Sequence, residues 1–289
     1  MDTRQVEYAI AVADELSFTR AAQRVFAVQS TVSAGVQALE RDLGTVLFER
    51  DQRGVRLTPA GESVLPALRG IADAEARART AADPRGELRG ELRIGVFSNV
   101  SYLALPRVVR EFHREHPLVD LRLRSSPTGS RELANDVLRG RLDLSLFGLP
   151  ASAATGLATH RLAITRYVAL LPPGHDLARQ KTISLADLAK ERFVDAPVGF
   201  GNRDILDGAL NGLGVSRDVA IEATETAAIP VFVAAGLGVA LLPELLIPPG
   251  TDAVVVSLAE RIDWEFSVVT RTSPSEAARA LVERLIAAY

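Results

Sequence analysis

The chain has 289 residues, enough for two or three domains with sizeable cores; 47% are hydrophobic and 24% charged, a globular rather than a disordered composition. It contains no cysteine, which excludes disulfides, thiolate metal sites, a cysteine nucleophile and thiol-based redox sensing. The net charge of −3 argues against a protein that coats nucleic acid along its length, while leaving room for a local DNA-binding face.

The N-terminus, "MDTRQVEYAIAVADELS", carries acids early and has no continuous apolar run, so it is not a secretory signal. Val6, Ala9, Ile10 and Ala13 make a first amphipathic helix, and Ser17 can cap a second that buries Ala21, Ala22 and Val25. A third helix follows in "QSTVSAGVQALERDLG". Val32, Val36, Leu39 and Leu43 form its apolar stripe, and Gly44 stops it. Three short helices with a tight turn near residues 27–29 form a helix-turn-helix pattern. The face beside the third stripe is small and polar: Gln29, Ser30, Thr31, Ser33, Ala34 and Gln37. Next, "TVLFERDQRGVRLT" reads as a hairpin, or wing, carrying Arg50, Arg53 and Arg56. Thr58 and Pro59 then open a long helix with a narrow apolar seam through Val64, Leu65, Leu68 and Ile71, a pattern that suits a dimer contact better than a core. Pro66 is expected to kink that helix or delay its start.

From "GELRIGV" onward the texture becomes strand–helix alternation. Strand-like runs fall at 92–96, 119–123, 142–147, 167–171, 219–221, 239–241, 253–256 and 266–270, with helical patterns between most of them. This implies α/β units on mostly parallel sheets, in two similar lobes. The uncharged segment 227–243 is cut by Pro230, Gly236, Gly238 and Pro243 and falls short of the ~20 apolar residues of a membrane span. No membrane association is expected, and the cytoplasm is the default location.

The polar third helix could sit in a major groove, where amides and hydroxyls pair with base edges, or could be the surface of a plain three-helix bundle. Charge does not decide, since residues 1–82 hold ten arginines against eleven acids. The wing arginines, placed to grip phosphates, favour DNA. Catalytic and metal chemistry find little support. His113 and His116 lie in the last turn of a helix, where they suit the dipole better than a metal; "GFGN" lacks the full dinucleotide fingerprint; neither lysine follows a glycine, so there is no P-loop; and no Gly-x-Ser-x-Gly occurs. No catalytic residue, metal or cofactor is assigned.

The stretch "FTRAAQRVFAVQSTVSAGVQALERDLGTVLFERDQRGVRLTPAG" resembles the N-terminal domain of LysR-type transcriptional regulators, through its Ala-Ala pair, "QSTVS", "ALERDLG", "LFER" and "LTPAG". "ELRIGV", "GRLDLSLFG", "YVALLPPGHDLA" and "VAAGLGVALLP" resemble that family's effector-binding domain, so the likeness spans the chain. It implies a winged helix-turn-helix over 1–58, a linker and dimerisation helix over 59–84, and a two-lobed α/β domain over 91–289 that resembles periplasmic binding proteins. Lobe 1 would take about 91–162 and 265–289, lobe 2 about 163–264, with crossings near 147–165 and 263–266. The recognition helix falls on Gln29, Ser30, Thr31, Ser33, Ala34 and Gln37, and wing contacts on Arg50, Arg53 and Arg56. Two departures stand out. Val28 replaces a capping hydroxyl, leaving Ser30 as the alternative cap, and Ala34-Gly35 replaces a pair that is commonly long and polar, at some expense to helix stability.

The cleft between lobes would be lined by Ser98, Asn99, Ser101, Thr128, Gly129, Ser130 and Phe147 on the first lobe, and by Phe200, Asn202, Thr224 and Thr226 on the second. Hydroxyls and helix starts suit an anion, and Arg203 adds slight support. Each of these residues could equally be a plain helix cap. The expected partners are double-stranded promoter DNA, a small-molecule effector, RNA polymerase and further copies of the chain as a homodimer or homotetramer. A metabolite-binding protein without functional DNA binding is the alternative, and an enzyme using the same cleft is a second.

Overall fold

The computed structural model describes residues 1–289 apart from 52–53, 83–86, 98–102 and 127–128; of residues 51 and 80–82 it describes the backbone only. Helix α1 (Thr3–Glu15) opens with a capping box from Asp2 and Gln5. Ser17 caps α2 (Phe18–Arg24), its hydroxyl accepting from the Arg20 amide at 3.3 Å. Val28 occupies the N-cap of α3 (Gln29–Leu43) and supplies no side-chain bond. Ser30 does not replace it: it lies inside the first turn, where the Thr31 and Val32 amides bond back to the Val28 carbonyl. Gly44, at φ 67, closes the helix in the left-handed region that glycine tolerates.

Glu40 explains how the chain leaves α3. Its carboxylate accepts from the amides of Leu47 (2.8 Å) and Phe48 (3.3 Å) and so sets the entry to the hairpin β1 (Phe48–Asp51) and β2 (Gly54–Leu57). Thr58 then caps α4 (Pro59–Ala82): its hydroxyl accepts from the Gly61 amide and donates to the Val46 carbonyl. A Cβ at Gly61 would lie 2.2 Å from the Leu47 carbonyl oxygen, so only glycine lets the hairpin lie this close to α4. The helix starts at Pro59, so Pro66 does not delay it. The first turns of its apolar seam are partly core: Leu65 and Leu68 are buried, Leu68 in one cluster with Val6, Val12, Val32, Val36 and Leu39. To that extent the seam serves the chain's own core, because α4 packs against α1.

The second region comprises β3 (Gly90–Val96), α5 (Leu105–Glu115), β4 (Val119–Ser125), α6 (Ser130–Leu138), β5 (Leu144–Phe147), β6 (Ala158–Leu171), β7 (Thr182–Ile183), α7 (Leu185–Leu188), β8 (Arg192–Asp195), α8 (Gly201–Gly212), β9 (Asp218–Glu222), α9 (Ile229–Ala234), β10 (Ala240–Pro243), β11 (Val254–Leu258), β12 (Asp263–Thr270) and α10 (Glu276–Ala288). The main sheet has the order β4-β3-β5-β12-β6-β11-β7, with β10 also pairing β6; β8 and β9 form a separate pair.

The expectation of mostly parallel sheets is corrected. β3–β4, β3–β5, β8–β9 and β7–β11 are parallel, but β12 runs antiparallel to both its neighbours, and β10 and β11 run antiparallel to β6. The cause is β6, which is fourteen residues long. Its first half pairs with β12, and its second half, from Tyr167, pairs with β10 and β11. Two antiparallel strands thus pass from one lobe into the other, β12 bringing the chain back along the path that β6 took out. The first half of β6, "ATHRLAITR", is only partly covered and rich in polar residues, which hid it from a periodicity reading.

Candidate functional site

On the first domain, Gln29, Ser30, Thr31, Ala34 and Gln37 are exposed along one side of α3, and Ser33 is half-buried among them. Gly35 lies on the opposite flank. A Cβ there would come within 2.5 Å of the Tyr8 ring, so the expected weak point of the helix is the contact that seats α3 on α1.

The wing arginines separate into different roles. Arg50 is exposed, with its guanidinium 3.9 Å above the Phe18 ring and donating to the Ser33 hydroxyl at 3.2 Å. In this DNA-free chain it ties the wing to the recognition face. Arg56 pairs across the hairpin with Glu49 at 2.7 Å, both side chains largely in solvent. Such a pair contributes about 0–1 kcal/mol and exchanges readily for another anion. Arg53 lies outside the described residues.

In the second region the lobes meet closely. A Cβ on Gly129, at φ 83, would sit 3.8 Å from the Phe200 ring, and one on Gly201 would sit 2.9 Å from the Leu149 side chain. Arg131 of α6 pairs with Asp204 of α8 at 3.0 Å. Behind this mouth, Gly148 is held from two sides. Its amide donates to the Ser130 hydroxyl at 3.1 Å, and its carbonyl accepts from the Trp264 indole at 2.9 Å. Trp264 leaves no room for a side chain there, since a Cβ on Gly148 would lie 2.6 Å from its ring.

Of the expected cleft residues, Gly129, Ser130, Phe200 and Asn202 come together here. The Asn202 carbonyl accepts from the Tyr167 hydroxyl at 3.3 Å. Thr224 is exposed and Thr226 half-buried, just before α9. Ser98, Asn99, Ser101 and Thr128 lie outside the described residues. Phe147 is corrected: it is fully buried with Leu133, Val137 and Leu142, a core residue under α6.

Arg203 is corrected as well. Only 12% of its side chain is exposed, and it meets Asp207 at 3.0 Å, the Ala196 carbonyl at 3.1 Å and Asp195 at 3.9 Å. Acids of its own lobe, not an incoming anion, receive its donors. Asp195 is buried and also accepts from Arg217 at 2.5 Å. Burial pushes the Asp195 carboxyl above the ordinary carboxylate range, against the pull of Arg217. Burial likewise raises the Tyr167 hydroxyl. Among the described residues no cluster of metal-ligating side chains occurs, and no helix is long and apolar enough to cross a membrane.

Comparison with known proteins agrees with both halves. Residues 3–62 match the bacterial regulatory helix-turn-helix proteins of the lysR family, and residues 85–289 match the LysR substrate binding domain. The chain belongs to the LysR family. A curated relative, the HTH-type transcriptional regulator ShiR of Corynebacterium glutamicum, is 35% identical over 257 residues, covering 87% of this chain and 86% of that one. A full-length OxyR variant from Pseudomonas aeruginosa superposes with a TM-score of 0.81 at 25% identity, covering 100% of this chain and 94% of its own. Full-length CbnR bound to its target DNA covers 100% of this chain and 99% of its own, at 25% identity and a TM-score of 0.56. This LysR-family chain is therefore a DNA-binding transcriptional regulator with an effector-binding domain, and its curated relatives are regulators rather than enzymes.

Three groups of this LysR-family chain escaped the sequence reading. Asp14, in the last turn of α1, accepts from Arg24 at 2.9 Å and also from Arg69 of α4; Arg24 in turn reaches Glu91 at the start of the effector domain at 2.7 Å. Arg93 makes a two-pronged bond to Asp143, with both side chains buried. Arg271 joins Asp73 of α4 at 3.0 Å. One signal was available for the first group: Arg69 occupies a seam position between Leu68 and Ala72, where an unpaired charge would not be tolerated. Nothing in the sequence pairs Arg271 with a residue 198 positions away.

Proposed function

We propose that α3 enters the major groove of a dyad-symmetric operator with Gln29, Ser30, Thr31, Ser33, Ala34 and Gln37 against base edges. Arg53 and Arg56 hold the flanking phosphates, and Arg50 fixes the wing relative to α3. The observation that carries this reading is the exposed amide-and-hydroxyl face of α3, braced by Arg50 through Ser33 and Phe18. Two chains pair through the outer face of α4, and two pairs make a tetramer. An effector, by preference an anion, binds between the lobes among Gly129, Ser130, Phe200, Asn202, Thr224 and Thr226, together with Ser98, Asn99, Ser101 and Thr128. Its effect is a population shift, so it must prefer one arrangement of lobes or protomers over another. RNA polymerase reads that arrangement on the bent promoter.

The test is a gel-shift titration with DNA upstream of the protein's own gene over a salt series. Binding that tightens as salt falls, with a protected dyad and a slope that is shallower in Arg56→Ala, is the expected result. Folded dimeric protein that binds this and other promoters no better than random DNA would overturn the operator reading.

A further inference from the structure

Ion pairs run without a break from α4 into the effector domain and back to α4. Arg69 of α4 meets Asp14 of α1, which also binds Arg24 of α2 at 2.9 Å. Arg24 reaches Glu91 of β3 at 2.7 Å, and Glu91 lies 4.0 Å from Arg93 of the same strand. Arg93 holds Asp143 at 2.7 Å, Asp143 lies 3.7 Å from Arg271, and Arg271 closes the circuit on Asp73 of α4 at 3.0 Å. Cations and anions alternate throughout, and both ends of the circuit stand about one turn apart on α4. Arg24, Arg69, Asp73, Glu91 and Arg93 line a chamber of about 220 Å³ between the two domains.

The pairs are of two kinds. Arg69–Asp14 and Arg93–Asp143 each lie within one unit, the first where α4 packs on α1 and the second inside the first lobe. Their side chains are at most 6% exposed. Arg24–Glu91 and Arg271–Asp73 span the units, and there the side chains are 19–27% exposed. A looser, exposed pair, Arg139–Glu62 at 4.0 Å, spans them too. Opening the spanning pairs strands little charge: Arg24 keeps Asp14, Glu91 keeps Arg122 at 3.6 Å, Arg271 keeps Asp143, and Asp73 turns to water. Breaking a buried pair would instead leave an uncompensated charge in the interior. Apolar packing does not fuse the units. The buried apolar side chains of the first domain, with Leu68 of α4, form a cluster apart from that of the effector domain. Domains move against one another where their contact is polar rather than large and apolar.

We propose that Arg24–Glu91 and Arg271–Asp73 form a releasable clasp that docks the helix-turn-helix on the first lobe of its own chain. Closed, the clasp fixes the angle between the recognition helix and the effector domain. Open, it lets α4 and the helix-turn-helix turn together against that lobe. The recognition face is exposed in the closed state, so the clasp sets orientation and does not cover the groove-reading side chains. Its consequence for DNA rests on the operator reading above: the two states present the paired recognition helices at different spacings, and an effector that prefers one state depopulates the other.

The test needs no DNA, so its outcome is separate from the fate of the operator reading. The chain has no cysteine, and Thr19→Cys with Arg114→Cys, both exposed, places one spin label on α2 and one on α5. Labelled full-length protein is diluted into unlabelled protein, and the distance between the labels is read by pulsed electron resonance. One narrow distribution is expected at about 0.05 M salt, and a second, longer component at about 1 M, where charges are screened beyond roughly 3 Å. Glu91→Gln combined with Asp73→Asn, which change charge and hardly change shape, should raise the longer component several-fold at the lower salt. A distribution unmoved by this double substitution would overturn the clasp, whatever salt does. So would a wild-type distribution already broad at low salt, because the units would then not be docked. Should the double variant not fold, the salt series on the wild-type pairs decides alone, and a distribution that ignores salt overturns the proposal.

Discussion

Arginine does opposite work in the wing and in the second lobe. Arg56 stands 62% exposed beside an exposed Glu49, an arrangement that water and salt screen and that a phosphate can replace. Arg217 has a side chain 3% exposed and clamps the buried Asp195, with Arg203 completing the group. Neither of the latter can leave without stranding a charge in a medium that solvates it poorly. Residue type therefore says little about whether an arginine binds a partner or holds the fold; exposure of the ion pair decides.

The largest test of that contrast is Arg217→Ala, which should destabilise the effector domain by about 3–5 kcal/mol in urea denaturation, because Asp195 is left buried without its main partner. The same truncation at Arg50 should lose about 1–2 kcal/mol of stability, from one hydrogen bond and one cation–π contact. It should also weaken operator binding by more than that loss explains, because α3 and the wing are no longer held in register. At Arg56, truncation should leave stability within about 0.5 kcal/mol and reduce the slope of log affinity against log salt by about 0.9. If instead Arg56→Ala destabilised the protein as much as Arg217→Ala, exposure would not be the deciding variable.

Acid sharpens the comparison further. The raised Asp195 carboxyl means that the folded protein holds this proton more tightly than the unfolded chain does. Its contribution to stability is therefore full below the ordinary carboxylate value and is lost as pH rises through the raised value. Asp73 and Glu91 are shifted the same way and share the sign. Asp195→Asn should flatten the fall in melting temperature as pH rises above the ordinary carboxylate range, without abolishing it. A further small effect concerns Phe26, which sits between α2 and α3 fully exposed and at φ 52. Aromatic residues disfavour that left-handed region and asparagine tolerates it, so Phe26→Asn should raise stability by up to about 1 kcal/mol in the absence of DNA.

The recognition face was legible because it lies on one element. Val32, Val36 and Leu39 fix which side of α3 is buried, and the period of a helix then assigns Ser30, Ala34 and Gln37 to the other side. Individual roles were less so. Arg50 looked like Arg56 until Phe18 and Ser33 were beside it, and Gly35 looked like a defect until the Tyr8 ring lay against it. The cleft was harder still. Gly129 and Phe200 come from different lobes, and which face of Phe147 or Arg203 is covered depends on packing that spans both.

By itself the sequence determined the local elements and their order: the three helices, the hairpin, the long helix and the alternation that follows, together with the motifs that place the chain in its family. These depend on periodicity and capping within a few residues, which a single chain displays directly. Only the tertiary structure decided that β6 and β12 pair antiparallel with each other along their crossing, that Arg203 is neutralised, and that Arg24, Arg69 and Arg93 converge on one chamber. Those outcomes depend on which charges are desolvated together, and desolvation is set by contacts between residues far apart in the chain.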